Sequence, residues 1–226
     1  MVKNVPLAMF FRLTYRAQNY SKPAGSRENA LKGNLWQKAV LHWHPKRSIV
    51  SQMNLKIIKA ARQDPKVFGE LYKLYVEQVF RYLYSRIGYV HDAEDITAQT
   101  FLIAFESFDR FRQDGHFASW LFTIARNKAM DHFRQRKNTS SIDEIEDIPV
   151  ENDPLCGVIQ LEQTAALSKL IQALPEEDRE LLRLRFLAEM SFPEIARILH
   201  RNEEAVKKTI YRLLARLHSQ LEVSNE

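Results

Sequence analysis

Between Asp64 and Phe133, apolar residues return at steps of three and four along three successive stretches, with a break after each. That period belongs to helices that each bury one face, and it leaves no room for the alternation of a half-buried strand. The first stretch carries Phe68, Leu71, Tyr72, Tyr75, Val79, Leu83 and Ile87, and Gly88 ends it. The second begins near Asp92, with acids in the first turn where the helix dipole favours them, and continues through Ile96, Thr100, Ala104 and Phe108. A loop follows from Asp109 to Gly115. The third stretch turns Phe117, Leu121, Ile124, Ala125, Ala129 and Phe133 inward. Only 6 glycines and 8 prolines occur in 226 residues, too few for a turn-dense sheet protein.

Periodicity is lost from Asn138 to Gly157, a stretch with six acids, no base, Pro149 and Pro154. It reads as an acidic flexible linker over 138–160. Beyond it Leu167, Leu170, Ile171 and Leu174 form a stripe. Pro175 opens the next helix at an early, permitted position, and Leu181, Leu184 and Phe186 follow. Ser191 and Glu194 have the spacing of a capping box, ahead of a short helix burying Ile195, Ala196 and Leu199. A tight turn at His200 and Arg201 leads to Asn202, a good N-cap. The last helix carries Val206, Ile210, Leu213, Leu217 and Leu221. Two helices so joined have the spacing of a helix-turn-helix. The expected fold is all-α: two small helical domains, 64–137 and 161–221, the second ending in that motif.

Nine of the 33 lysines and arginines but one of the 28 acids lie in residues 1–52, so this segment carries +8 and the remainder −3. The segment has no sustained period. A transit peptide, a disordered basic arm and an upstream extension of a protein that starts at Met53 all have this composition. A nucleic-acid surface in the body of the chain must then be a local patch. The lone Cys156 excludes an internal disulfide and fits a reducing cytoplasm. No apolar run approaches the roughly 20 residues that span a bilayer, so no membrane partner is expected.

Two patches suit nucleic acid. The third helix ends in Arg126, Lys128, Arg134, Arg136 and Lys137, behind the aromatics Phe111, Phe117 and Trp120. Aromatics beside a basic stripe are what a single strand needs, stacking surfaces with phosphate partners. Phe117 and Trp120 read first as packing residues; Phe111 reads equally as packing or as a base contact. The last helix turns Glu204, Lys207, Lys208, Tyr211 and Arg212 outward, suited to a major groove. Asp92, Glu94 and Asp95 have no partner at metal-ligand spacing, and His42 and His44 stand alone. No phosphate-binding glycine loop or nucleophile elbow occurs, so neither a cofactor nor catalysis is expected.

The segments "DAEDITAQTFLIAF", "FRQDGHFASWLFTIARNKAMDHFRQRK" and "LPEEDRELLRLRFLAEMSFPEIARILHRNEEAVKKTIYRLLARL" resemble the extracytoplasmic-function (ECF) sigma factors of RNA polymerase, from about Asp64 to Leu221. The resemblance implies a factor that binds core polymerase and directs promoter recognition, melting and initiation. It places Asp92, Glu94, Asp95, Thr97, Gln99 and Phe101 against the clamp of the largest subunit. It gives the minus-ten element to Phe111, Arg112, Phe117, Trp120, Arg126, Asn127, Asp131, Arg134, Arg136 and Lys137, with Phe111 and Asn127 holding a flipped base. It gives the minus-thirty-five element to Arg201, Asn202, Glu204, Ala205, Lys207, Lys208, Tyr211 and Arg212, in a domain that also docks on the polymerase flap. An anti-sigma protein is a further partner it admits. Two positions depart from the family: His200 stands where a glycine is usual, and Ala205 where a small hydroxyl residue is. The acidic linker matches a segment that threads the polymerase's nucleic-acid channel, or is simply a soluble connection. The alternative function is a helix-turn-helix regulator of the response-regulator type, which needs a receiver domain that the first half does not resemble. More distant readings are a nucleic-acid enzyme using the Asp92 cluster and a plastid-targeted transcription factor.

Overall fold

The computed structural model describes the backbone of residues 47–111, 116–139 and 166–223, and the side chains of 55–111, 116–136 and 166–221. Most of the basic segment and residues 140–160 of the acidic linker lie outside these residues; Asn138 and Thr139, expected to open the linker, are helical. All regular structure among the described residues is helical. They belong to two compact units, one drawn from 46–152 with 183–203, the other from 153–182 with 204–226.

The first unit begins with a helix that the apolar period does not announce, α1 (Arg47–Gln63). Among its described side chains, 55–63, Ile58 and Ala61 are buried, set among Lys56, Lys59 and Arg62, a sparse stripe. Asp64 then accepts a hydrogen bond from the Lys66 N–H and caps a single 3-10 turn over Pro65–Val67. Helix α2 (Phe68–Ile87) buries Phe68, Leu71, Tyr75, Val79, Tyr82, Leu83 and Ile87, with Tyr72 left half exposed. Gly88 ends it at φ 85, where its N–H reaches the Tyr84 carbonyl at 2.8 Å. Only glycine adopts that backbone without a steric cost.

Helix α3 (Val90–Glu106) starts two residues before Asp92. Its two buried polar side chains are satisfied locally: the Thr97 and Thr100 hydroxyls donate to the carbonyls of Ala93 and Ile96 at 2.6 and 2.7 Å. Helix α4 (Phe117–Thr139) packs against α2, α3 and the helix over Phe192–Leu199. Because it is covered by three helices, its buried face is wider than one stripe. Phe122, outside the expected stripe, is fully buried with its ring 5.5 Å from Tyr82, whereas Phe133, expected inward, is 40% exposed and Ile124 only partly covered.

Residues 166–172 are helical (α5) and bury Leu167; Leu174 is buried beyond them, and Leu170 and Ile171 partly so. Pro175 sits just ahead of α6 (Glu176–Leu182), where its carbonyl accepts the N–H groups of Asp178 and Arg179. The expected helix continues as a π-turn over Arg183–Leu187. Arg185 is buried there, donating to the Met190 carbonyl at 2.8 Å and lying over the Phe192 ring at 4.6 Å. Helix α7 (Phe192–Leu199) opens with the Ser191 N–H donating to Glu194 at 2.8 Å, the expected capping box. It buries Ile195, Ala196 and Ile198; Leu199, expected inward, is partly exposed. Helix α8 (Glu203–Val223) buries Val206, Ile210, Leu213 and Leu217 as expected, with Leu214 in addition.

His200 stands between α7 and α8 at φ 52, ψ 43, in the left-handed region. The N–H of Arg201 reaches the Ala196 carbonyl at 2.9 Å and that of His200 the Arg197 carbonyl at 3.3 Å, a Schellman closure. A residue with a Cβ pays roughly 1–2 kcal/mol for that conformation. Glycine is freer in the unfolded chain, which offsets part of the gain. His200→Gly is therefore expected to stabilise the protein by about 0.5–1 kcal/mol, and His200→Val to destabilise it by about 1 kcal/mol or more, read by urea unfolding.

Candidate nucleic-acid interface

The start of α4 is held by rings. Phe111 lies 4.9 Å from Trp120 and 5.7 Å from Phe117, centroid to centroid, and Phe117 lies 5.5 Å from Tyr75. Phe108 joins the cluster at 5.3 Å from Phe68 and 6.2 Å from Phe117. Arg62 of α1 donates to the Phe111 carbonyl. Phe111 is 5% exposed and Phe117 1%, so both rings are core as the chain stands. Trp120 is the partly exposed member. Trp120, Asn127, Asp131 and Arg134 are spaced seven, four and three apart and share one face of α4. Asn127 and Arg134 are exposed on it, Asp131 is partly covered, and the Asp131–Arg134 pair at 3.6 Å is a weak surface ion pair. Arg126 is half-buried; Arg136 is exposed half a turn away and stacks on Tyr89. Arg112 and the Lys137 side chain lie outside the described residues.

Helix α3 separates its candidates into two sets. Glu94, Asp95 and Gln99 are exposed, and Leu102, at 57% exposure, and Phe105 extend the same surface toward the C-terminal end. Thr97 and Phe101 lie on the buried face, Phe101 against Tyr72 at 4.8 Å. The Asp92 carboxylate faces His132 of α4 at 3.4 Å. Leu102 and Phe105 were absent from the sequence-based set; two large apolar groups left exposed on a helix are visible only once its buried side is known.

On α8, Glu204, Ala205, Lys208 and Arg212 are exposed, Lys207 and Tyr211 are partly covered, and Arg201 and Asn202 are exposed just before the helix. Glu204 and Lys207 lie 3.8 Å apart. The candidates thus occupy one side of the first three turns. Among the described residues no group of three or more His, Cys, Asp or Glu side chains could hold a metal ion, and no helix is long and apolar enough to cross a membrane.

Two family profiles match the chain: Sigma-70 region 2 over residues 71–139 and Sigma-70 region 4 over residues 164–217. The ECF RNA polymerase sigma factor BldN of Streptomyces coelicolor is 34% identical over 181 residues, covering 78% of this chain and 69% of that protein. The chain belongs to the ECF sigma factors. SigW of Bacillus subtilis is 29% identical, covering 74% of this chain and 94% of that protein. The structure of CnrH in complex with the cytosolic domain of CnrY matches with a TM-score of 0.55 at 25% identity, over 75% of this chain and 97% of that one. RpoE of Bartonella quintana, solved with the anti-sigma factor NepR, shares the fold at a TM-score of 0.52 and 22% identity.

As an ECF sigma factor, the protein binds core RNA polymerase and directs promoter recognition, melting and transcription initiation. Sigma factors are initiation factors rather than catalysts, and the response-regulator alternative is not favoured. The burial of Phe111 bears on any test of its role. Phe111→Ala is expected to cost about 3 kcal/mol or more of stability through the cavity it leaves. Asn127→Ala, at an exposed position, should change stability by no more than about 0.5 kcal/mol. Urea unfolding of the two variants checks the contrast.

Proposed function

We propose that this sigma factor divides its work among three helical faces. The exposed side of α3, with Glu94, Asp95, Gln99 and Leu102, meets the clamp of the polymerase's largest subunit. The face of α4 with Trp120, Asn127 and Arg134 receives the melted minus-ten strand, Trp120 offering the accessible ring and Phe111 and Phe117 bracing it. The outer side of α8, with Arg201, Lys208 and Arg212, reads the minus-thirty-five duplex, in a domain that also docks on the flap. The domain bounds proposed are those read from the sequence, 64–137 and 161–221, with α1 added to the first, although residues 183–203 fall in the same compact unit as 46–152. The observation that carries this reading is the segregation of the candidates: on each helix the polar members, Thr97 excepted, lie exposed or partly exposed, away from the fully buried apolar residues. The protein acts in the cytoplasm, where polymerase and promoter are. An anti-sigma partner is proposed as well, since RpoE of Bartonella quintana was solved in complex with one.

Run-off transcription with purified core polymerase on a panel of promoters tests the whole reading. Core that initiates no better with the protein than without it on every template overturns it. Asp95→Lys with Gln99→Lys is expected to weaken core binding at least tenfold with helical content intact, because both side chains are exposed. Unchanged affinity in a titration removes the assignment of α3.

Opening a promoter requires unstacking bases, and an aromatic surface returns about 1–3 kcal/mol per stacked base. Asn127→Ala should leave core binding and closed complexes intact but lower permanganate reactivity of minus-ten thymines on duplex DNA. A pre-melted bubble should restore much of that loss. Wild-type opening of the duplex counts against the α4 face.

Lys208→Ala and Arg212→Ala separate base from phosphate contacts on α8. A base contact costs roughly 1–3 kcal/mol and relaxes preference at one position of the minus-thirty-five element; a phosphate contact weakens all promoters evenly. Promoter profiling in which neither variant differs from wild type shows that the recognition face is misassigned.

A further inference from the structure

We infer that Tyr89 is a positioning residue for promoter binding, its ring holding the Arg136 guanidinium ready for a DNA phosphate. The inference rests on α4 being the helix that meets promoter DNA. The Arg136 guanidinium carbon lies 5.1 Å from the centre of the Tyr89 ring, a cation–π distance. Tyr89 is 46% exposed, so its ring adds little to the core. It occupies the N-cap position of α3, yet its side chain makes no capping hydrogen bond.

A second contact runs beside the first, His132 to Asp92 at 3.4 Å. Tyr89 and Asp92 are three residues apart, His132 and Arg136 four apart, so two rungs join the start of α3 to the last turns of α4. Arg136 lies nine residues after Asn127, half a turn round the helix. It therefore faces away from the base-reading side and suits a contact with the sugar–phosphate backbone that carries no sequence preference. A free arginine on a terminal helical turn samples many rotamers. Stacking on a ring restricts them before DNA arrives and leaves the N–H edges of the fork available to a phosphate.

The test uses holoenzyme reconstituted from the full chain and core polymerase, with a labelled promoter fragment that it transcribes. Affinity is measured over a range of salt, and core binding is measured separately. Arg136→Ala should weaken DNA binding and lower the salt slope by about one counterion. Tyr89→Ala should weaken DNA binding about two- to five-fold with core binding unchanged. Tyr89→Phe, which keeps the ring, should restore it. Tyr89→Ala should add nothing in the Arg136→Ala background, a non-additivity that a general loss of structure would not produce. An effect of Arg136→Ala without one of Tyr89→Ala overturns the role of the ring and leaves α4 as the DNA helix. No effect of either overturns the role of Arg136 at the DNA as well. Additive losses, or a loss of core affinity in Tyr89→Ala, show that the ring acts other than through Arg136 and also overturn the inference.

Discussion

The rings of Phe68, Phe108, Phe111, Phe117 and Trp120 meet where α2 begins, α3 has just ended and α4 begins. Three chain segments are fastened at one point, and everything proposed for the promoter-facing side of α4 is measured from it. Edge-on and tilted contacts at 4.9–6.2 Å between these rings are favourable beyond the area they bury. They set the start of α4, and with it the rotation that leaves Asn127 and Arg134 outward. At the far end the same helix is tied to α3 through the Tyr89–Arg136 and Asp92–His132 contacts. The helix is therefore pinned at both ends, while most of the polar residues on its outer face take no part in the pinning.

This arrangement suits a protein that must melt DNA. Side chains presented on a rigid helix need little reorganisation when a strand arrives, so more of the binding free energy remains to offset unstacking. The cluster also connects the two proposed surfaces. Phe105, half exposed on α3 beside the residues proposed to meet the polymerase, packs on Phe68 at 5.2 Å, and Phe68 packs on Phe108. A chain of ring contacts thus runs from the exposed side of α3 to Trp120.

The segment from Ser191 to α8 is built on other terms. Its fixed points are local: the Ser191–Glu194 box, Arg185 stacked on Phe192, and the Schellman closure at His200. A histidine at φ 52 occupies a position where the family usually has glycine, and the turn forms regardless. The strain is about the size of one lost helix cap, small against the burial of Ile195, Ile198, Val206 and Ile210.

Every helix but α1, the Gly88 stop, the Ser191 box and the family could be read from the chain, because each depends on residues within a few positions of one another. A three- to four-residue period, a left-handed glycine and a serine three residues before a glutamate carry their meaning locally. What the sequence left open depends on how many neighbours a helix has. Phe122 is buried because α4 is covered by several helices and hides more than one stripe, and the number of covering helices is not written in its own period. Helix α1 has no clear apolar period of its own, although it packs on the 3-10 turn and on α2 that directly follow it. Among the candidate residues, type and position were legible but accessibility was not. Thr97, Phe101, Phe111 and Phe117 match family positions yet lie in the core, and Tyr89 meets Arg136 across 47 residues of chain. Sequence determined which helices form and what chemistry they carry; tertiary packing decided which of those side chains water and DNA can reach, because burial is a property of the neighbours that a residue acquires only on folding.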